Sequence, residues 1–227
     1  MPGLSLNANL FSGRNLGLLF GIFLLALLPR LYSAQTVGWH WYGEGSFTPI
    51  NFDEVNSCRM WLKAAKAYSP LVGAQTVTIN ALLGHPPPAN PGGNEQIDKA
   101  YCLSAPHMTV ARSFSAVLGA ATAVVIVLIG LALSPQRPQV AWTAGLLLAL
   151  SGFHATQSHM ATVDVAMTFY AYLFILLAML AVATRRAALI GLCLLLMLPA
   201  IFAKRIWPFP LFGLLAFLPA TLWQGFL

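Results

Sequence analysis

Six acidic residues stand out in this chain of 227 residues, because only 8% of its residues are charged. Five of them lie in one polar stretch and the sixth stands apart; they are Glu44, Asp53, Glu54, Glu95, Asp98 and, alone, Asp164. A carboxylate can act as a general base that takes a proton from an acceptor hydroxyl or amine. Cations such as Arg112, Lys204 and Arg205 can hold a phosphate while a bond to it breaks. These residue types point to group transfer from a phosphate-linked donor.

The composition assigns these residues to a membrane protein. The chain is 58% hydrophobic and its mean hydropathy is +0.74, so it has too few charges to cover a soluble globule. A membrane-spanning helix needs roughly 20 mostly apolar residues, because lipid offers the backbone no hydrogen-bond partners. Five or six segments qualify, with the third and fifth short: 15–34, 109–133, 138–153, 162–183, 187–203 and 208–227.

These spans divide the chain into three regions. Residues 1–34 hold the N-terminus and the first span, residues 35–108 form a polar loop, and residues 109–227 hold the remaining spans. The first span is expected to stay in place, because the sequence around it lacks a good signal-peptide cleavage pattern. Two crossings after the loop return the chain to the same side just before Asp164. All six carboxylates are therefore predicted on one face of the membrane.

The polar loop should contain helices that lie at the membrane interface. Residues 52–68 have helical periodicity, with apolar Val55, Cys58 and Leu62 on one side and cationic Arg59, Lys63 and Lys66 on the other. The cationic side would meet lipid phosphates. Residues 84–93, GHPPPANPGG, cannot form a helix or a central strand and are predicted to be a loop. Nearby aromatic residues favour an aromatic belt over a sugar-stacking platform: Trp39, Trp41 and Tyr42.

The cysteines bear on the side of the membrane that the loop occupies. Cys58 and Cys102 lie in the loop and Cys193 lies in the fifth span, which favours one disulfide and one buried thiol over three unrelated thiols. The count of Lys and Arg points the loop inward, but that rule applies to loops shorter than roughly 60 residues. A disulfide requires an oxidising compartment, so we expect the loop on the exoplasmic side.

Each candidate acid also has a purely structural interpretation. Asp53 could be the N-cap of the helix that follows it. Asp164, just after Thr162 as a possible N-cap, could be favoured by the helix dipole by about 0.3–1 kcal/mol. An acid at mid-helix in the bilayer costs roughly 2.5–3.5 kcal/mol, and less near a helix end. Because the dipole alone does not offset such a cost, a functional role for Asp164 is favoured.

The cations and histidines have alternatives of the same kind. Arg112 could extend to lipid headgroups, and Lys204 with Arg205 could anchor the interface. His154 and His159 are five positions apart and point to different helix faces, without a third ligand at suitable spacing, so no metal site is predicted. The net charge of +6 is dispersed along segment ends, which argues against nucleic-acid binding.

Three features together resemble a known family. These are the Asp-Glu pair before an amphipathic helix, the arginine early in the second span, and the stretch HATQSHMATVDVAMTFY at 154–170. They look like the N-terminal half of the GT-C membrane glycosyltransferases, nearest to the protein O-mannosyltransferase and aminoarabinose transferase group, glycosyltransferase family 39. The resemblance spans roughly 50–205, and its strongest motif is 154–169. Met160 stands where many members have tyrosine.

The resemblance implies a fold and an activity. The fold would be an all-α polytopic membrane protein, a GT-C-like bundle of five or six transmembrane helices with interfacial helices in a long first exoplasmic loop. The activity would be transfer of a sugar from a polyprenyl-phosphate carrier on the periplasmic or lumenal side, with no cofactor besides this lipid-linked donor. The membrane would be a bacterial inner membrane, or the endoplasmic reticulum in a eukaryote.

The resemblance also implies roles for individual residues. Asp53 would be the catalytic base with Glu54 as its neighbour, and Asp164 would be the second acid of the site. Arg112 and Lys204 would contact the carrier phosphate or hold the first-loop acid. His159 and Arg205 would complete the substrate-binding set.

The chain departs from the family in its number of spans, because members have about twice as many. Two hypotheses follow: an active transferase or its N-terminal module, and a noncatalytic subunit derived from such an enzyme. The expected partners are lipids, the polyprenyl-phosphate carrier, and other membrane subunits or a second copy of the chain, with contacts through the small-residue spans 109–133 and 208–227. A proton-coupled carrier that uses Asp164 is disfavoured, because the fourth span has no further charged residue to continue a relay.

Overall fold

The computed structural model describes residues 13–42, 47–51, 53–63 and 70–184, together with 188, 189, 191–193, 195 and 199. Over these residues the chain is helical, and its only β pairing is an isolated bridge between Trp39 and Phe47. The helices in this part of the chain are α1 (Gly13–Thr36), α2 (Asp53–Trp61), α3 (Leu71–Leu82), α4 (Glu95–Cys102), α5 (Ala105–Leu133), α6 (Pro138–Leu150), α7 (Gly152–Ser158) and α8 (Val163–Thr184). The prediction of an all-α membrane protein is confirmed at this level.

Three helices are long and apolar enough to cross a membrane, namely α1, α5 and α8. They correspond to the first, second and fourth predicted spans. The third span was predicted at 138–153, but α6 has 13 residues and is about 20 Å long, which is shorter than the roughly 30 Å of a bilayer core. The chain breaks at Ser151, whose hydroxyl accepts a hydrogen bond from the His154 N–H at 3.3 Å and so begins α7.

Most residues of the fifth and sixth predicted spans lie outside the part of the chain that the structure describes. The fifth, 187–203, is described only at isolated positions, among which Cys193 is buried and packs in a cluster with Phe174 and Ala181 of α8. The sixth, 208–227, lies outside the described residues, as do Lys204 and Arg205. A bundle of five or six spans therefore stays a prediction.

Helix α5 is the centre of the described part, since it packs against α1, α6 and α8. Part of its contact with α1 and α6 is made by small residues, since Ala26, Ala120, Ala123 and Ala149 are all buried. A second cluster at the same three helices contains Leu19, Val127 and Leu131. Small side chains let helix backbones approach closely, which is how helices in lipid gain packing energy. Much of the small-residue surface of the predicted span 109–133 is therefore used within the chain itself.

The described residues of the polar loop form three short helices before α5, and α2 packs against the other two. The predicted amphipathic helix, 52–68, is shorter in the structure, because α2 ends at Trp61 and Lys63 turns the chain with a φ of 64°. The apolar side of α2 packs against α3 and α4; the buried residues are Val55, Cys58, Leu62, Val77 and Cys102. Residues 84–94 form no helix or strand, as the prolines and glycines predict.

Two of the three cysteines are joined within this small core. Cys58 of α2 and Cys102 of α4 form a disulfide between positions 44 residues apart, and Cys193 is free and buried. This is the pairing that the sequence favours. It ties α2 to the residues that immediately precede α5.

Removing this disulfide should loosen the loop. In the chain-entropy model a crosslink over this distance contributes roughly 3–4 kcal/mol. We expect Cys58→Ala/Cys102→Ala to raise amide hydrogen exchange in α2 and α4 and to leave α8 unchanged, with Cys193→Ala as the matched control. Peptide mapping without reductant checks the bond directly, and free thiols at both positions would contradict the pairing.

Candidate functional site

The loop and the spans meet at a buried ion pair. Glu54 of α2 and Arg112 of α5 are both fully buried. Arg112 Nε donates to Glu54 Oε1 at 2.8 Å, and Arg112 Nη2 donates to Glu54 Oε2 at 3.0 Å. Such two-point pairing of a guanidinium with a carboxylate is stronger and more directional than a single contact. The pair fixes α2 against the first third of α5.

Backbone groups complete the coordination of both partners. Glu54 Oε1 also accepts the Ala161 N–H at 3.1 Å, and Oε2 accepts the Ile50 N–H at 2.9 Å. Arg112 Nη1 donates to the Val37 carbonyl, and the guanidinium carbon lies 4.6 Å from the centre of the Phe47 ring. Four separate segments of the chain therefore meet at one carboxylate–guanidinium pair.

This geometry decides between the interpretations of Arg112. Because Arg112 is buried, it does not extend to lipid headgroups. It pairs with Glu54, the neighbour of the predicted base Asp53. Gly38 helps to shape the site, because its φ is +84° and a Cβ there would lie 2.5 Å from the Thr48 carbonyl oxygen.

Asp53 lies at the first position of α2. The side chain that accepts from the start of this helix belongs to Asn51, whose Oδ1 accepts the Asp53 N–H at 2.9 Å. An acid in a first helical turn is favoured by the helix dipole. Unlike Glu54, Asp53 is partly exposed. The two adjacent acids therefore differ in burial, with Glu54 inside the packing and Asp53 nearer the surface.

Asp164 lies in the first turn of α8 and is also partly exposed. Thr162 precedes this helix, yet its hydroxyl has no hydrogen-bond partner among the described residues, so it does not cap α8. The N–H of Ala161, three residues before Asp164, binds Glu54, which follows Asp53 in the chain. The segments that carry the two candidate acids are thus fastened to the same carboxylate.

His159 lies beside the ion pair, with 8% of its surface exposed. Burial lowers the pKa of His159, and the charge of Arg112 acts in the same direction, while Glu54 and a hydrogen bond to Ala155 oppose it. The neutral form is favoured. Its Nε2 has no partner within the described part of the chain.

A second polar cluster lies deeper, around Arg30 of α1. This arginine is fully buried, and its Nη1 donates to the carbonyls of Ala26 at 2.6 Å and Ala149 at 3.0 Å. Its Nη2 donates to the Leu148 carbonyl at 3.3 Å. The last carbonyls of a helix have no partner within the helix. Arg30 supplies donors to the end of the short α6, which explains how that helix can end within the bundle.

Arg30 also fixes His154 of α7. Its Nη2 lies 2.9 Å from His154 Nδ1, and because a guanidinium has no acceptor, Nδ1 must accept the hydrogen bond. Burial, reinforced by the charge of Arg30, lowers the pKa of His154 to about 4. The ring is therefore neutral at physiological pH and carries its proton on Nε2.

The sequence patterns described above do not predict the cluster around Arg30. The signal that could have found it is an arginine inside an otherwise apolar helix, since such residues usually have buried partners. The prediction that His154 and His159 serve different faces agrees with their two separate clusters. No group of three or more metal-binding side chains occurs within the described residues.

Only part of the predicted aromatic and cationic surfaces of the loop is covered by other residues. The indole of Trp39 donates to the Ala34 carbonyl at 3.0 Å and its ring lies 4.8 Å from that of Phe47, whereas Trp41 and Tyr42 are exposed. Arg59 pairs with Glu95 of α4. Trp39 is thus part of the packing around the ion pair.

Comparison of the chain with family models, with curated proteins and with solved structures found no match. Function is therefore inferred from the geometry of the site and from the motifs in the sequence.

Proposed function

We propose that this chain is a membrane glycosyltransferase of the GT-C type, or the N-terminal module of one. It would transfer a sugar from a polyprenyl-phosphate donor to an acceptor on the periplasmic or lumenal side. The observation that carries this proposal is the Glu54–Arg112 pair. It fastens the segment bearing Asp53 to the segment bearing Asp164, so that two partly exposed acids flank one buried support at the membrane interface.

The two acids of the first loop have different roles in this proposal. Both carboxylate oxygens of Glu54 are occupied by donors, so Glu54 is a positioning residue. Asp53 is the base that takes the proton from the acceptor. The acceptor then attacks the anomeric carbon with inversion, the bond from that carbon to the phosphate oxygen breaks, and the lipid phosphate leaves with the electron pair. Asp164 shapes the acceptor or donor site, and Lys204 and Arg205 contact the leaving phosphate.

The disulfide bears on the side of the membrane that the loop occupies. A bond between Cys58 and Cys102 persists in oxidising compartments and is rare in the cytosol. This supports the exoplasmic placement of the loop, in the inner membrane of a bacterium or the endoplasmic reticulum of a eukaryote.

A noncatalytic membrane subunit is the second candidate. The completeness of the hydrogen bonding around Glu54 and Arg112 favours it, because such a pair stabilises the fold without any substrate. In that case the chain would purify in mild detergent within a larger assembly, with other subunits or with a second copy of itself. It would show no transfer.

The test is release of the lipid phosphate. The protein, with any co-purifying subunits, is reconstituted in liposomes that contain polyprenyl phosphate carrying mannose or aminoarabinose. The expected result is free polyprenyl phosphate above the level produced by the Asp53→Asn variant, a readout that does not require the acceptor to be known. Equal release by both proteins with either donor would contradict the transferase proposal, and a stable larger assembly without release would favour the noncatalytic subunit.

A further inference from the structure

A cavity of about 420 Å³ opens between α5, α6 and α8. Its walls are mainly hydrocarbon and include Ile126 of α5 and Ala144 and Leu147 of α6. His154 and Ser151 line it near the end of α6 that faces the polar loop. The volume lies within the range of about 300–1,000 Å³ that is usual for small-molecule sites.

One hydrogen-bond donor has a fixed direction in this cavity. His154 lines the cavity, and its Nδ1 is turned towards Arg30, so Nε2 lies on the opposite side of the ring. Because Nδ1 accepts from the guanidinium, Nε2 must carry the proton. No group among the described residues accepts from this N–H. A ligand here therefore gains from one accepting oxygen.

The same contacts argue against a charged ligand at this place. Both terminal nitrogens of Arg30 donate to backbone carbonyls or to His154, and Arg30 does not line the cavity. A phosphate would find only neutral donors. A second helix is also a poor fit, because a helix is about 10–12 Å wide and a single turn of it would fill the cavity. The shape and chemistry suit a hydrocarbon chain that bears one neutral accepting oxygen.

The depth agrees with a lipid of the bilayer. Arg30 is six residues before the end of α1, which corresponds to about 9 Å along the helix. Because the predicted first span ends at residue 34, near the end of α1, we expect this position at the boundary between the headgroups and the hydrocarbon, where the ester carbonyls of phospholipids lie. We propose that the cavity binds one acyl chain of a bilayer phospholipid, whose ester carbonyl accepts a hydrogen bond from His154 Nε2. The site is independent of glycosyl transfer.

The test compares a diester phosphatidylcholine with its diether analogue, which lacks the carbonyl. Protein purified in mild detergent is loaded with each lipid, and the bound lipid is counted by native mass spectrometry. The wild-type protein should retain one diester lipid with about five-fold preference over the diether, the factor expected for one neutral hydrogen bond. His154→Asn should abolish this preference, because the asparagine oxygen can replace Nδ1 as the acceptor for Arg30, while its shorter amide group does not reach the position of Nε2–H.

A second pair of variants tests the cavity without touching the arginine cluster. Ala144→Phe fills the cavity and should remove retention of both lipids. Val140→Phe, on the same helix at an exposed position that does not line the cavity, should leave retention unchanged. The proposal fails if the wild-type protein retains neither lipid or retains both equally. It also fails if polyprenyl phosphate at equal concentration displaces the diester lipid, since the site would then belong to the carrier.

Discussion

Replacing Glu54 with glutamine should destabilise the protein by about 3–5 kcal/mol, because it removes one member of a buried ion pair and leaves the charge of Arg112 without compensation. The same substitution at Glu95 provides a matched control. Glu95 also pairs with an arginine, but 71% of its side chain is exposed, and exposed ion pairs contribute about 0–1 kcal/mol. Thermal unfolding in detergent measures both. We expect a large loss of stability at Glu54 and little change at Glu95.

A double variant separates the charge from the backbone contacts. Glu54→Leu/Arg112→Met removes both charges, and apolar replacement of a whole buried pair is often neutral. Here the Ile50 and Ala161 N–H groups would also lose their acceptor, and an unsatisfied buried group costs about 1–3 kcal/mol. We therefore expect the double variant to recover only part of the stability. Full recovery would mean that the ion pair does not fasten the loop to the segment that carries Ala161, just before α8.

The three long spans could be predicted because each is a long and mostly apolar run. The end of the third could not, since Ser151 and Gly152 break the helix inside a stretch that still appears apolar in the sequence. The break is stable because Arg30, 121 positions earlier in the chain, donates to the last carbonyls of α6. A contact between residues so distant in sequence leaves no local pattern.

The helices of the loop were predicted in part. The helical periodicity of 52–68 indicated a helix. Helix α3 was not predicted, because it is rich in β-branched residues such as Val77 and Ile79, which have modest helix propensity. The packing of α3 against α2 and α5 stabilises this helix despite its modest propensity. The apolar face of α2 was identified correctly, while the partner that covers it is protein and not lipid.

The helical phase of α2 explains why Glu54 is buried and Asp53 is partly exposed. Glu54 lies four residues before Cys58 and eight before Leu62, so a helix places all three on one face. Because Cys58 and Leu62 are buried, Glu54 must be buried with them, and Asp53 is rotated by about 100° from that face. The helical phase therefore predicts which of two adjacent acids is structural. The identity of its partner, Arg112, required the tertiary structure.

Because Asp53 is the partly exposed acid of the first loop, its substitution should have the largest effect on activity. Asp53→Asn should lower the rate of lipid-phosphate release by about 10²–10⁴-fold, the usual contribution of a general base. Because Asp53 is partly exposed and asparagine has the same shape, thermal unfolding should stay close to that of the wild-type protein. Glu95→Gln, in the same loop, is the control and should retain full activity.

The combination of the two measurements separates catalysis from positioning. A base gives loss of rate with stability intact, whereas Glu54→Gln should lose both, because its carboxylate holds the loop in place. If Asp53→Asn keeps more than about a tenth of the wild-type rate, Asp53 is not the base, since that loss is well below the 10²-fold lower bound for such a role. The first acid to test in its place is Asp164, because its segment is fastened to the same ion pair and its side chain is also partly exposed.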